Sequence, residues 1–232
     1  RSNEEHGQVG HPVHTLKLEN QVLQSLLTDE IDGILAKMAK QDWSQLERLQ
    51  RAVADLKNID KHYTRKETLI FAFMEKYGIT APPKVMWGVD DQIRAMIKEF
   101  AELLSSPKVA YNPLSEKWAA LKNEIEEMIF KEEEIMIPMT LDVFSLADWQ
   151  QIAKDSHDIG FSFIPEPLKW VPSAASFEKE KENEVQRLAA IAQAKETTEA
   201  IAASLPDYPV SSVTTQEKTD NFSGDLTQTI DL

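Results

Sequence analysis

Long stretches of this chain carry no glycine or proline and place apolar residues three and four positions apart. That spacing is the signature of the amphipathic α-helix. From Pro12 to Lys40, the residues Leu16, Leu23, Leu27, Ile34 and Met38 form one stripe, and Leu18, Val22 and Leu26 widen it, so much of this helix is expected to be buried. Pro12 suits a first turn, where its missing N–H would find no partner anyway. A second helix is expected from Asp42, an N-cap ahead of Trp43, to Tyr77, along Leu46, Leu49, Val53, Leu56, Tyr63, Ile70 and Met74. Gly78 should end it, and Pro82-Pro83 should prevent its resumption. The third helix covers Lys84 to Leu104 on Trp87, Ile93, Ile97, Phe100 and Leu104, with Pro107 and Asn112-Pro113 marking the loop beyond. The fourth begins near Ser115 and carries Trp118, Leu121, Ile125, Met128, Ile135 and Met139, running into Pro138. A shorter helix from Ser145 to Asp158 precedes a segment punctuated by Pro165, Pro167 and Pro172. Four long helices with short connections predict an all-α, antiparallel up-down-up-down four-helix bundle.

Three units follow from the pattern: a polar leader over 1–10, the bundle over 11–172, and a charged region over 173–232. Within the last, 177–203 reads as a charged helix whose weak apolar set, Val185, Leu188 and Ile191, suits a connector or a partner-helix seam. Residues 205–232 read as a Ser/Thr-rich linker. With 39 acidic against 25 basic residues, the net charge is −14. That balance repels phosphate backbones and anionic lipid, so neither nucleic acid nor a membrane is an expected partner. No apolar run reaches the roughly 18–20 residues of a spanning helix. Cysteine is absent, which removes disulfides, thiolate metal sites and cysteine catalysis. No GxGxxG or GxxxxGK[ST] loop occurs, and no serine sits in a Gly-x-Ser-x-Gly setting. A non-catalytic, cytoplasmic protein is expected.

The informative residues are polar ones lodged in the apolar stripes. His62 and Glu67 flank the arc of Ile59, Tyr63 and Ile70, with Lys66 between them; Glu132 takes the stripe position after Met128; Asp90 and Asp91 follow Trp87-Gly88-Val89; His14 lies near the first helix start, one turn after His11. Burying such groups costs several kcal/mol unless they are paired or bound to metal. Facing helices can converge them on one ion, and imidazole with carboxylate suits iron, manganese or zinc. His6 and His157 read as surface residues.

Gly10-His11-Pro12-Val13-His14-Thr15 with Leu18-Glu19-Asn20, His62-Tyr63-Thr64-Arg65-Lys66-Glu67, Pro82-Pro83-Lys84-Val85-Met86-Trp87-Gly88-Val89, and Phe130-Lys131-Glu132-Glu133-Glu134-Ile135 with Pro138-Met139 occur in that order. Over about residues 10–170 they resemble the hemerythrin-like HHE cation-binding family, and most closely its bacterial members fused to a PAS sensor domain. The ending Gly224-Asp225-Leu226 resembles the approach to such a domain. The resemblance implies a non-haem di-iron centre with His14, His62 and Glu132 as ligands. Other positions depart from the family pattern. Lys66 stands where the second-helix carboxylate belongs, with Glu67 adjacent; Met128 replaces the fourth-helix histidine; Asp90 replaces the third-helix histidine.

Two readings therefore stay open. One is an altered, mononuclear or weak dinuclear iron site of His14, His62, Asp90, Glu132 and Glu67, with His11 and Glu133 as secondary candidates and Tyr63, Lys66, Trp87 and Met128 walling the pocket. The other is a metal-free bundle in which Lys66 pairs with Asp90 or Glu132. Haem, with His14 or His62 as axial ligand and Met128 nearby, is a minor third. The first reading implies sensing of oxygen, redox state or a small diatomic ligand on behalf of an attached or partner signalling domain. The second implies a scaffold for protein–protein contact, and a homo-oligomer is compatible with either.

Overall fold

The computed structural model describes residues 5–204. The linker over 205–232, with its Gly224-Asp225-Leu226 ending, lies outside the described residues, as do residues 1–4 of the leader. Among the described residues every regular element is helical, and none of the helices is long and apolar enough to cross a membrane.

Helix α1 covers residues 12–39, with a π turn at Leu26–Ile31 between Pro12–Ser25 and Asp32–Ala39. Its N-cap is His11, whose Nδ1 accepts the Val13 N–H at 3.0 Å. Leu16, Leu23, Leu27, Ile34 and Met38 are buried as the stripe requires, but Leu18 and Val22 are each 38% exposed and do not widen it. Helix α2 covers residues 46–76, as Leu46–Leu56, a turn at Lys57-Asn58, Ile59–Arg65, a π turn at Lys66–Ile70 and Phe71–Lys76. It starts later than Asp42 because the Asp42 carboxylate accepts both the backbone N–H and the hydroxyl of Ser44, closing a local turn that competes with helix. Gly78, at φ +80°, ends it. The Gly78 N–H bonds Glu75 O and the Ile79 N–H bonds Met74 O, both at 2.9 Å, the paired bonds of a Schellman stop.

Helix α3 is Ala81–Leu104. Pro82-Pro83 does not delay it to Lys84 but sits in its first turn, where no N–H is needed. Helix α4 covers residues 111–143, with a π turn at Glu132–Met136. It likewise begins before Ser115, taking Pro113 into its opening turn, and it continues past Pro138 to Val143. The wider π turn immediately ahead of Pro138 accommodates a residue with no N–H to offer. Helix α5, Leu146–Ile159, opens on a capping box between Ser145 and Asp148. An irregular segment over 160–173 leads into α6, Ala174–Glu182, and α7, Glu184–Ser204.

One continuous core joins these elements, with Ile93, Ile97 and Phe100 of α3 facing Trp118, Leu121 and Ile125 of α4. Helix α7 lies against α3 and the end of α4. It packs through Ala190, Ile191 and Ala194, while Val185 and Leu188, expected to share its apolar seam, point to solvent at 80% and 56% exposure. Arg187 fixes the start of α7 by donating to Val143 O at 3.1 Å.

Candidate functional site

Each long helix brings one break in its apolar stripe to the same level of the bundle. Helix α1 supplies Glu19 and Asn20, α2 supplies His62, Arg65 and Lys66, α3 supplies Asp90, and α4 supplies Glu132; all seven are buried. Lys66 and Glu132 each open a π turn, a helix irregularity that often marks functional positions.

The seven make one hydrogen-bonded chain in which cations and carboxylates alternate. Arg65 Nη1 donates to Glu19 Oε2 at 2.9 Å. Glu19 Oε1 lies 3.0 Å from His62 Nδ1, and the other ring nitrogen, Nε2, lies 2.6 Å from Glu132 Oε1. Lys66 Nζ donates to Glu132 Oε2 at 2.8 Å and to Asp90 Oδ1 at 2.7 Å. Asn20 Nδ2 donates to Glu132 Oε1 at 3.2 Å. The ammonium also sits 4.3 Å from the centre of the buried Tyr63 ring, a favourable cation–π position. The segment after α5 seals one side: the Ser162 N–H donates to Glu19 Oε2, and the Ser162 hydroxyl accepts the His62 N–H at 2.8 Å.

Desolvation opposes every one of these charges, and the pairing decides the outcome. Burial alone would neutralise His62, but Glu132 and Glu19 outweigh it and push its pKa up to about 9. Glu132 is held far below the ordinary carboxylate range, because His62 and Lys66 outweigh its burial. Asp90 behaves differently. Burial pushes it up to about 8 against the pull of Lys66. Its Oδ2 atom, beside the Glu67 carboxylate, has no hydrogen-bond donor. Two carboxylate oxygens face each other there, and a proton on Asp90 turns that contact into a bond.

Of the other candidate ligands, only Glu67 touches this hydrogen-bonded chain, at Asp90. Glu67 is held by a two-pronged bond from Arg94, at 2.7 and 2.9 Å. His14 is half-buried and joins none of these bonds. His11 uses Nδ1 as the α1 cap and packs its ring 5.0 Å from Trp149 and 4.5 Å from Trp170. With Nδ1 accepting, its proton sits on Nε2, which leaves no lone pair for an ion. Glu133 is half-buried and outside the network. Trp87, at 42% exposure, lies at the surface with its ring tilted against the buried Phe71 rather than walling the interior, whereas Tyr63 and Met128 are buried. Glu19, Asn20, Arg65 and Ser162 were not among the expected site residues. The signal for the first two was present, since they fill the turn between Leu16 and Leu23.

A bundle interior with buried histidine and carboxylates on facing helices defines a class of proteins built around a central charge. The model of the hemerythrin HHE cation binding domain matches residues 11–140, more than half of the chain, and the chain belongs to that family. A comparison with curated proteins gave no match.

The donor set does not fit the metal pair that the family resemblance implies. His62 meets a carboxylate at each nitrogen, in opposite directions, and as an imidazolium it has no lone pair to give. The Lys66 ammonium stands between the two carboxylates, Asp90 and Glu132, that would otherwise face an ion. Among the described residues no group of three or more histidine, aspartate or glutamate side chains is arranged to hold a metal.

Proposed function

We propose that this protein is a non-catalytic helical module, its long helices running up-down-up-down, in which the Lys66 ammonium supplies the central positive charge that a bound cation brings elsewhere in the family. On this reading it works in the cytoplasm as a metal-free scaffold. Its bundle and the helices over 174–204 hold an attached or partner signalling domain of PAS type in a defined place. The observation that carries the proposal is the fully buried Lys66 ammonium, which donates to Asp90 and Glu132 at 2.7 and 2.8 Å.

A second reading, an iron centre that senses oxygen or redox state, is favoured by one observation, the donorless Asp90 Oδ2. It requires Lys66 to withdraw and His62 to lose a proton. Iron analysis separates the two. Protein purified without added metal, then exposed to ferrous iron without oxygen and desalted, should retain far less than one iron per chain, and chelator should leave its melting temperature unchanged. Near-stoichiometric iron that disappears in His62→Ala would overturn the scaffold reading and establish the iron centre.

A further inference from the structure

A cleft of about 550 Å³ opens at the end of the bundle, away from the charged chain, where the N-terminal residues, the α4–α5 junction and helices α6 and α7 meet. Its size is that of ordinary small-ligand sites. The inner wall is aromatic, from Phe144, Trp149 and the ring of His11; the outer wall carries Lys179, Asn183 and Gln186.

The polar groups of this cleft divide into engaged and available ones. Glu180 accepts the Leu146 N–H, Glu5 accepts from Trp170 Nε1 and the Ser176 hydroxyl, and Arg187 holds Glu184 and Val143 O. His11 is different. Its Nδ1 accepts the Val13 N–H, and burial holds the ring neutral, its pKa lowered to about 3, so the single proton must reside on Nε2. That N–H has no acceptor among the described residues, although the residue is 1% exposed and lines the cleft. A fixed, almost buried donor among aromatic rings asks for an acceptor on a flat ligand. Two exposed lining charges are in no ion pair among the described residues, Asp142 and Lys179, and of these the Lys179 ammonium is the one that draws an anion.

We propose that this cleft binds a small aromatic carboxylate, its ring against Phe144 and Trp149, one oxygen accepting the His11 Nε2–H, and its charge drawn in by Lys179. Such a ligand would bridge the bundle to α6 and α7 and tighten their docking. The proposal is independent of what occupies the bundle interior.

The test is an NMR titration of the full chain with benzoate and indole-3-acetate, with benzamide as the uncharged control. Saturable shifts of the His11 and Trp149 ring resonances are expected, with benzamide binding more weakly. His11→Asn keeps a capping acceptor for Val13 but, with its shorter side chain, withdraws the donor from the position of the ring Nε2, and should weaken benzoate about tenfold, the scale of one lost hydrogen bond. Lys179→Gln, a surface change, should weaken it several-fold and remove most of its salt dependence. No saturable shift with either carboxylate, shifts that map outside the cleft, or affinities unchanged in both variants would overturn the proposal.

Discussion

Replacing Lys66 by methionine isolates the ammonium, because the side chains are similar in length and the core keeps nearly the same volume. Lys66 is fully buried and makes two charge-assisted bonds, to Asp90 and Glu132. Removing one partner from a buried ion pair costs about 3–5 kcal/mol, most of it from the charge left behind. Two features place the expected loss at the low end, about 3 kcal/mol. Glu132 keeps His62 and Asn20, and Asp90, already raised to about 8, can discharge by taking up a proton. The double variant Lys66→Met with Asp90→Asn should therefore be more stable than Lys66→Met alone, since a neutral amide replaces the stranded acid. Urea denaturation followed by far-ultraviolet circular dichroism at pH 7 gives the free energies, and an unchanged m-value shows that both states are comparable. A loss below about 1 kcal/mol, the range of a surface pair, would show that the ammonium does not lie inside the network and does not supply its central charge.

Other outcomes follow from the same geometry. His62, raised to about 9, contributes stability that is full below its unfolded value of about 6.5 and is lost as pH rises through 9, on the order of 3 kcal/mol; denaturation across pH 6–10 should show this decline, and His62→Gln should flatten it. His11, lowered to about 3, has the opposite slope: its contribution is present above about 6.5 and is lost as pH falls towards 3. Acid titration of His11→Asn should lack that part of the decline. His11→Ala loses both cap and ring contacts and should cost about 2 kcal/mol in a urea melt, more than His11→Asn does. Gly78→Ala forces φ +80° on a residue with a side chain and brings its Cβ to 2.9 Å from Lys195 Cε; a loss of about 1 kcal/mol is expected, seen as a lower melting temperature.

The helices were legible in the sequence because apolar spacing and Gly/Pro punctuation act locally. Their starts were less so. Pro82-Pro83 and Pro113 read as breaks, yet a first turn has no use for the missing N–H, so the helices absorb them. The site was legible as a set of interruptions: Glu19 with Asn20, Lys66, Asp90 and Glu132 each occupy a turn where an apolar residue belonged. What spacing does not encode is which polar group meets which. The family pattern pointed to His14, but that imidazole projects from the half-buried side of α1, whereas Glu19, five residues later, faces inward. Ser162 could not be foreseen at all, because it enters from an irregular segment with no periodicity to place it.

That segment also bears on how the molecule assembles. The bond from the Ser162 N–H to Glu19 joins residues 143 positions apart, and closing so long a loop is late and slow. If that closure comes late, the Glu19 end of the interior stays wet until the segment docks, and the last water should leave on the native side of the folding barrier. Ser162→Gly keeps the N–H that bonds Glu19 but removes the hydroxyl that ties the segment to the His62 N–H and to Asn58 O; it should then accelerate unfolding while leaving the refolding rate nearly unchanged, and the first breach on the way out should be the readmission of solvent between residues 160 and 163.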